Sequence, residues 1–147
     1  MAQHLLLLDV GNTTVSIALA TATNLHGFAT FSLPTQSTQT TDQIGLQLVQ
    51  ILTHQGLPKS AIKAVIAASV VPAMDPILEA ACARYLDREV IFVPEGLPVP
   101  LENRYANPGE VGADRLVTAY AATRLMPSHA HIVVDFGTAT TFDCVQD

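Results

Sequence analysis

Tryptophan is absent from this sequence of 147 residues, aromatic residues make up 5% of it, charged residues 14%, and cysteine occurs only twice. Each scarcity excludes a class. Cys82 and Cys144 lie far apart and show neither CxxC nor Cys/His ligand spacing, so no disulfide framework or zinc site is expected and both read as core or near-core thiols. Lysine and arginine total 7 against 13 aspartates and glutamates, a net charge of −6, which argues against a nucleic-acid partner. Apolar runs stay well below the ~20 residues of a membrane-spanning helix, so no membrane partner is expected either. Residues 1–10 have no basic start and no cleavage-site pattern, and their apolar run 5–8 is broken by Asp9. That segment reads as a buried strand rather than a signal peptide, and the expected compartment is the cytoplasm. Charge runs, low-complexity tracts and heptads are missing too; residues 35–41, rich in Thr, Gln and Ser, read as a loop. What is plentiful is apolar side chain, at 49%, too much for a disordered chain and enough for one compact soluble domain or slightly more.

Three β-type runs open the chain, at residues 5–10, 15–20 and 28–33, and connections this short imply an antiparallel meander. Thr41 and Asp42 offer an N-cap to a helix that carries Ile44, Leu48, Ile51 and Leu52 on one face and ends near Gly56 and Pro58. A buried strand at 64–68, a helix from Asp75-Pro76 through Tyr85 and a strand at 89–93 follow, before a turn rich in proline at Pro94, Pro98 and Pro100. A third helix is expected from Asn107-Pro108 to about Leu125, closed by Pro127. The order βββαβαβα describes an α/β mixed sheet with helices packed on it.

The opening pattern then returns. Residues 131–141 repeat residues 6–14: an apolar strand, an aspartate (Asp9, then Asp135), a hydrophobe, a glycine (Gly11, then Gly137) and small hydroxyl residues. Duplication on this scale implies two similar domains, each opening with a strand–turn–strand. Residues 1–125 are expected to form the first, and residues 126–147 the first hairpin of a second, incomplete one.

A strand–turn–strand with glycine at the turn and Asn/Thr after it can present backbone N–H groups and hydroxyls to a phosphate. Asp9, at the strand end, could hold magnesium through water. A single such string is as consistent with an ordinary hairpin. Two copies facing each other would grip a triphosphate from both sides, which a purely structural hairpin gives no reason to duplicate. Asp114 is the third element: near a helix N-terminus, where the macrodipole favours an ionised carboxylate, it suits the base of a phosphoryl transfer, which needs orientation of the hydroxyl and late acceptance of its proton. The bland alternative makes Asp114 a helix-start residue paired with Arg115 or Arg104. Tyr105 reads as a core aromatic with its hydroxyl in a turn, and Tyr120, with Leu116, as core.

Four blocks carry a family resemblance: Asp9-Val10-Gly11-Asn12-Thr13, Ala68-Ser69-Val70-Val71-Pro72, residues 107–115 (NPGEVGADR) and residues 135–143 (DFGTATTFD). In order and spacing the sequence resembles the type III pantothenate kinases, also called the Bvg accessory factor family, over essentially its whole length. The resemblance implies the fold of the actin-like ATPase superfamily (acetate kinase, Hsp70, actin), with a sheet like that of ribonuclease H. It implies ATP-dependent phosphorylation of pantothenate to 4'-phosphopantothenate, the first step of coenzyme A biosynthesis, in a cytoplasmic homodimer needing magnesium and a monovalent cation, potassium or ammonium. Residue by residue, it assigns ATP to Asp9, Val10, Gly11, Asn12, Thr13, Thr14, Val15, Ser16 and Thr138, and the proton acceptor to Asp114. It assigns pantothenate to Tyr105, Gly112, Ala113, Asp114 and Arg115, and the monovalent cation to Asp135, where the residues alone allow magnesium equally. In the family a glycine-rich GGxIxPG segment and a helical region follow this hairpin and complete the nucleotide side of the cleft. The alternative reading is a non-catalytic regulatory or accessory protein on the same scaffold, against which the presence of Asp9, Asp114 and Asp135 speaks.

Overall fold

A computed structural model describes residues 3–21, 24–126 and 128–146, with the backbone alone at 24–28. Alternation builds its sheet. β1 (His4–Val10) turns Leu6, Leu8 and Val10 into the core, and antiparallel β2 (Thr14–Thr21) does the same with Val15, Ile17 and Leu19, Leu8 standing opposite Ile17. Full burial of each such side chain contributes about 1.5–3 kcal/mol. β3 (Asn24–Pro34) pairs antiparallel with β2, so the meander forms as expected, with a third strand longer than residues 28–33. β4 (Ile62–Ser69) joins the other side of β1 in parallel, and β5 (Val90–Val93) joins β4, giving the order β3-β2-β1-β4-β5.

Parallel neighbours need crossovers, and α1 (Thr41–His54) and α2 (Asp75–Ala81) supply them. Ile44, Leu48, Ile51 and Leu52 of α1 join Leu78, Ala81 and Leu86 in the core against the sheet. The cap of α1 is Thr40, one residue before the expected Thr41 and two before Asp42. Its hydroxyl accepts from the Gln43 N–H at 3.2 Å while the Gln43 side chain accepts from the Thr40 N–H at 2.8 Å, a capping box that Thr41 and Asp42 are one and two residues too late to make. α2 runs on through a π-helical turn at Cys82–Leu86, so the expected helix through Tyr85 is present in two parts.

The third helix starts later than expected. Asn107, kept out of the helical region as a residue before proline usually is (φ −123°, ψ 88°), leads into a separate 3₁₀ turn at Pro108–Glu110; Val111 is extended, and α3 (Ala113–Leu125) begins after Gly112. Pro127, the expected end signal, lies outside the described residues. β6 (Ala130–Phe136) and β7 (Thr140–Gln146) then form a hairpin of their own, as the repeat predicts, joined to the rest through α3. Its outer face is bare: Ile132, Phe136 and Phe142 are 71%, 81% and 66% exposed. Cys144 shares that outward parity and is exposed, correcting its expected place near the core, whereas Cys82 is buried and its thiol is pushed up to about 12 by desolvation. Among the described residues no helix is long and apolar enough to cross a membrane.

Candidate active site

Because Leu8 and Val10 point into the core, Asp9 between them points out of it, opposite Ser16 of β2. Beyond Asp9 the chain turns tightly, the Gly11 N–H donating to the Thr14 carbonyl at 3.0 Å. A Cβ on Gly11 would stand only 3.3 Å from that carbonyl oxygen, so the glycine supplies close approach. Thr35, just past β3, ties the turn from behind: its hydroxyl donates to the Gly11 carbonyl at 2.6 Å and its N–H to the Thr13 carbonyl at 2.9 Å. With these carbonyls engaged, the exposed side chains of Asn12, Thr13 and Thr14 face outward.

The β6–β7 turn repeats this geometry with one residue fewer. Val10 pairs with Val15 across residues 11–14, whereas Phe136 pairs with Thr140 across 137–139, and the Gly137 N–H donates to the Ala139 carbonyl at 3.1 Å. The two turns meet at their tips, where the hydroxyls of Thr13 and Thr138 lie 3.0 Å apart. Beneath them opens a cleft of about 710 Å³, the size of a small-molecule site.

α3 closes the third side. Asp114, in its first turn, lines the cleft and accepts a hydrogen bond from the Arg115 N–H at 2.7 Å. Gly112 makes the packing possible, since a Cβ there would lie 2.5 Å from Asp114 Oδ1 and 2.8 Å from Val70 Cγ1. Val70 in turn is fixed by its N–H donating to the Val10 carbonyl at 3.0 Å. Neither expected ion pair of Asp114 forms: Arg104 pairs with Glu102, and the Arg115 guanidinium pairs with Asp143.

Four carboxylates, of Asp9, Asp114, Asp135 and Asp143, line the cleft against the single guanidinium of Arg115. Although Asp9 stays open to the cleft, partial desolvation raises its carboxyl above the usual range, and the charges of Asp114 and Asp135 push it further.

Of the residues singled out from sequence, Asp9, Gly11, Asn12, Thr13, Thr14, Ser16, Asp114, Arg115, Asp135 and Thr138 come together on this one cleft. Val10 and Val15 have their side chains in the core, so they can offer a ligand only main-chain groups. Tyr105 is not core but 51% exposed, with the Arg115 guanidinium 5.4 Å above its ring. Gly112 and Ala113 pack behind Asp114 rather than lining the cleft, and Tyr120 is only half-buried. Two participants were not visible in the sequence. Thr35 lay in a segment read as loop, and Asp143 follows the second loop with no local signal beyond its place in the DFGTATTFD block.

The mixed sheet with its duplicated hairpins is an actin-like ATPase fold. YeaZ from Pseudomonas aeruginosa superposes on 98% of this chain and 60% of its own with a TM-score of 0.51 at 14% identity, a likeness of fold alone. A family model described as type III pantothenate kinase matches residues 5–147, and the chain belongs to that family. It is 52% identical over 99% of its length to a type III pantothenate kinase of Nitratidesulfovibrio vulgaris, 49% over 99% to that of Oleidesulfovibrio alaskensis and 42% over 100% to that of Lawsonia intracellularis, covering 55% of each. The chain thus spans about half the length of the curated relatives it matches.

Proposed function

We propose that the protein transfers the γ-phosphoryl group of ATP to the primary hydroxyl of pantothenate, giving 4'-phosphopantothenate and ADP, the first step of coenzyme A biosynthesis. The observation that carries this is the meeting of two loops of one pattern across a cleft whose third wall is Asp114, with Thr13 and Thr138 3.0 Å apart. Residues 9–16 and Thr138 hold the triphosphate from its two sides. Asp114 orients the hydroxyl and accepts its proton late, as the new O–P bond forms and the bond to the ADP oxygen breaks. Arg115 and Tyr105 hold pantothenate at the start of α3, with Gly112 and Ala113 shaping that wall.

A triphosphate entering a cleft lined by four carboxylates and one guanidinium needs cations with it. Among the described residues no three such side chains converge closely enough to hold a metal by themselves. That suits magnesium, which keeps much of its water and binds through one or two carboxylates plus phosphate oxygens. Asp9 would hold it through water, and Asp135 would hold a monovalent cation, potassium or ammonium. Bound there, the cations neutralise charge on the phosphates. The working protein is a cytoplasmic homodimer on this reading. The test is ATP turnover by the full-length protein with pantothenate, acetate or glycerol as acceptor. Turnover with pantothenate alone is expected; turnover only with another acceptor, or none with any, as the accessory-protein alternative requires, refutes the proposal.

A further inference from the structure

Arg115 is held twice, by two different carboxylates. Its main-chain N–H donates to Asp114 Oδ1 at 2.7 Å, and its side chain is gripped by Asp143, Nε donating to Oδ2 at 3.0 Å while Nη2 donates to Oδ1. The fork closes in a largely shielded place, both side chains being 20% exposed, and the centre of the guanidinium lies over the Tyr105 ring, 5.4 Å from its centroid. An arginine side chain otherwise carries about 2 kcal/mol of rotamer entropy. In this cleft it would also have Asp9, Asp114 and Asp135 to wander among.

Asp143 sits on β7, in the second copy of the duplicated hairpin, while Arg115 sits on α3 of the first unit, 28 residues earlier. A bidentate carboxylate uses two of the five guanidinium N–H groups and fixes the plane of the other three. The geometry points to Asp143 as a positioning residue for the phosphoryl acceptor: it locks the Arg115 fork over Tyr105, so that the remaining N–H groups face the acceptor and the guanidinium stays off Asp114. This rests on the reading of the cleft as a pantothenate kinase site. It also means that the acceptor pocket takes shape only when β7 docks against α3.

The experiment is a double-mutant cycle in the full-length protein, with Asp143→Asn, Asp143→Glu, Arg115→Lys and the pair Asp143→Asn/Arg115→Lys. Steady-state KM for pantothenate and for ATP, and pantothenate affinity by calorimetry, are the readouts. Asp143→Asn is expected to raise the pantothenate KM and dissociation constant about tenfold, with the KM for ATP nearly unmoved and kcat changed less than KM. The pair should be no worse than Arg115→Lys alone, because Asp143 acts through the fork that lysine cannot make. Should Asp143→Asn fail to fold, Asp143→Glu keeps the charge and should recover pantothenate affinity to within a few-fold of wild type. Additive losses in the pair, or unchanged pantothenate affinity in Asp143→Asn, overturn the inference while wild-type turnover leaves the proposed function intact. A wild-type protein without pantothenate-dependent turnover overturns both.

Discussion

Gly112 is the sharpest place to test how Asp114 is held. Its backbone, at φ −60° and ψ 151°, is one that alanine adopts without strain, so Gly112→Ala isolates the effect of the added methyl group. That methyl would lie 2.5 Å from Asp114 Oδ1 and 2.8 Å from Val70 Cγ1, against an ordinary contact of about 3.4 Å. The Val70 N–H bond to Val10 keeps its backbone in place, so relief falls on side chains: the Asp114 carboxylate, or the first turn of α3 with it, must shift by roughly 0.9 Å, the gap between 3.4 and 2.5 Å. A displacement of about 1 Å at a reacting group costs on the order of 10²-fold in rate, and overpacking of this kind costs about 1–3 kcal/mol of stability. Steady-state kinetics in the full-length protein should therefore show kcat about 10²-fold lower, with ATP affinity little altered because both loops are untouched. Thermal unfolding should show a correspondingly lower midpoint. In an Asp114→Asn background the same methyl should cost little further turnover, since the group it displaces no longer accepts the proton. Turnover within about threefold of wild type in Gly112→Ala would refute the claim that this packing sets the position of the base.

Asp114→Asn keeps shape and helix-terminal hydrogen bonding but loses the charge, so turnover should fall by about 10²–10⁴ with ATP and pantothenate affinities within about tenfold by calorimetry; near wild-type turnover would leave Asp114 a helix-start residue only. Thr35→Val removes the hydroxyl that ties the Gly11 carbonyl, and ATP affinity should weaken by about 1 kcal/mol in a binding titration, an unchanged value showing that the first loop holds its shape unaided. Asp9→Asn should raise the unfolding midpoint at neutral pH while weakening magnesium-dependent nucleotide binding, because Asp9 is forced to ionise where it is partly desolvated and beside the charges of Asp114 and Asp135. The sign follows from its raised pKa: the native state holds that proton more tightly than the unfolded chain, so the penalty is full above the raised value, shrinks as pH falls from there, and is gone below the ordinary carboxylate value of the unfolded chain. The midpoint difference should therefore vanish in acid. The 147-residue chain expressed by itself should associate through the bare face of β6 and β7, and F136S/F142S should return it to a monomer in light scattering; a wild-type monomer at micromolar concentration would contradict this.

Much of this architecture could be read from residue order because its signals are local. An apolar run marks β1 and alternation β2, the spacing of Ile44, Leu48 and Leu52 marks α1, and the recurrence of Asp, Gly and Thr at residues 9–14 and 135–141 announces two loops of one kind. Where the reading slipped, neighbouring residues competed for one role or distant ones decided it. Thr40, Thr41 and Asp42 are all good caps, and only Gln43, three residues after Thr40, selects among them. Pro108 is a helix-start signal, but the glycines at 109 and 112 lower helix propensity, so the helix waits until Ala113. The partner of Arg115 could not be read from spacing at all, because Asp143 reaches it only after β7 has folded back against α3.

The alternation along β1 also governs which mutations of length the molecule can survive. In a strand each residue carries a parity, and here one parity is oil while the other, at its last outward position, is chemistry: Leu6, Leu8 and Val10 on one side, Asp9 on the other. Deleting a single residue from β1 upstream of Asp9 would invert the code, driving the carboxylate into the hydrophobic layer beneath the sheet and lifting Val10 into the cleft. Deleting two would restore it. Lengthening the turn beyond Val10 leaves the parity of Asp9 untouched, and the two hairpins already differ there by one residue while both keep their aspartate, Asp9 and Asp135, on the cleft. Insertions and deletions should therefore be tolerated by odd and even rules within the strand and by reach alone within the loops.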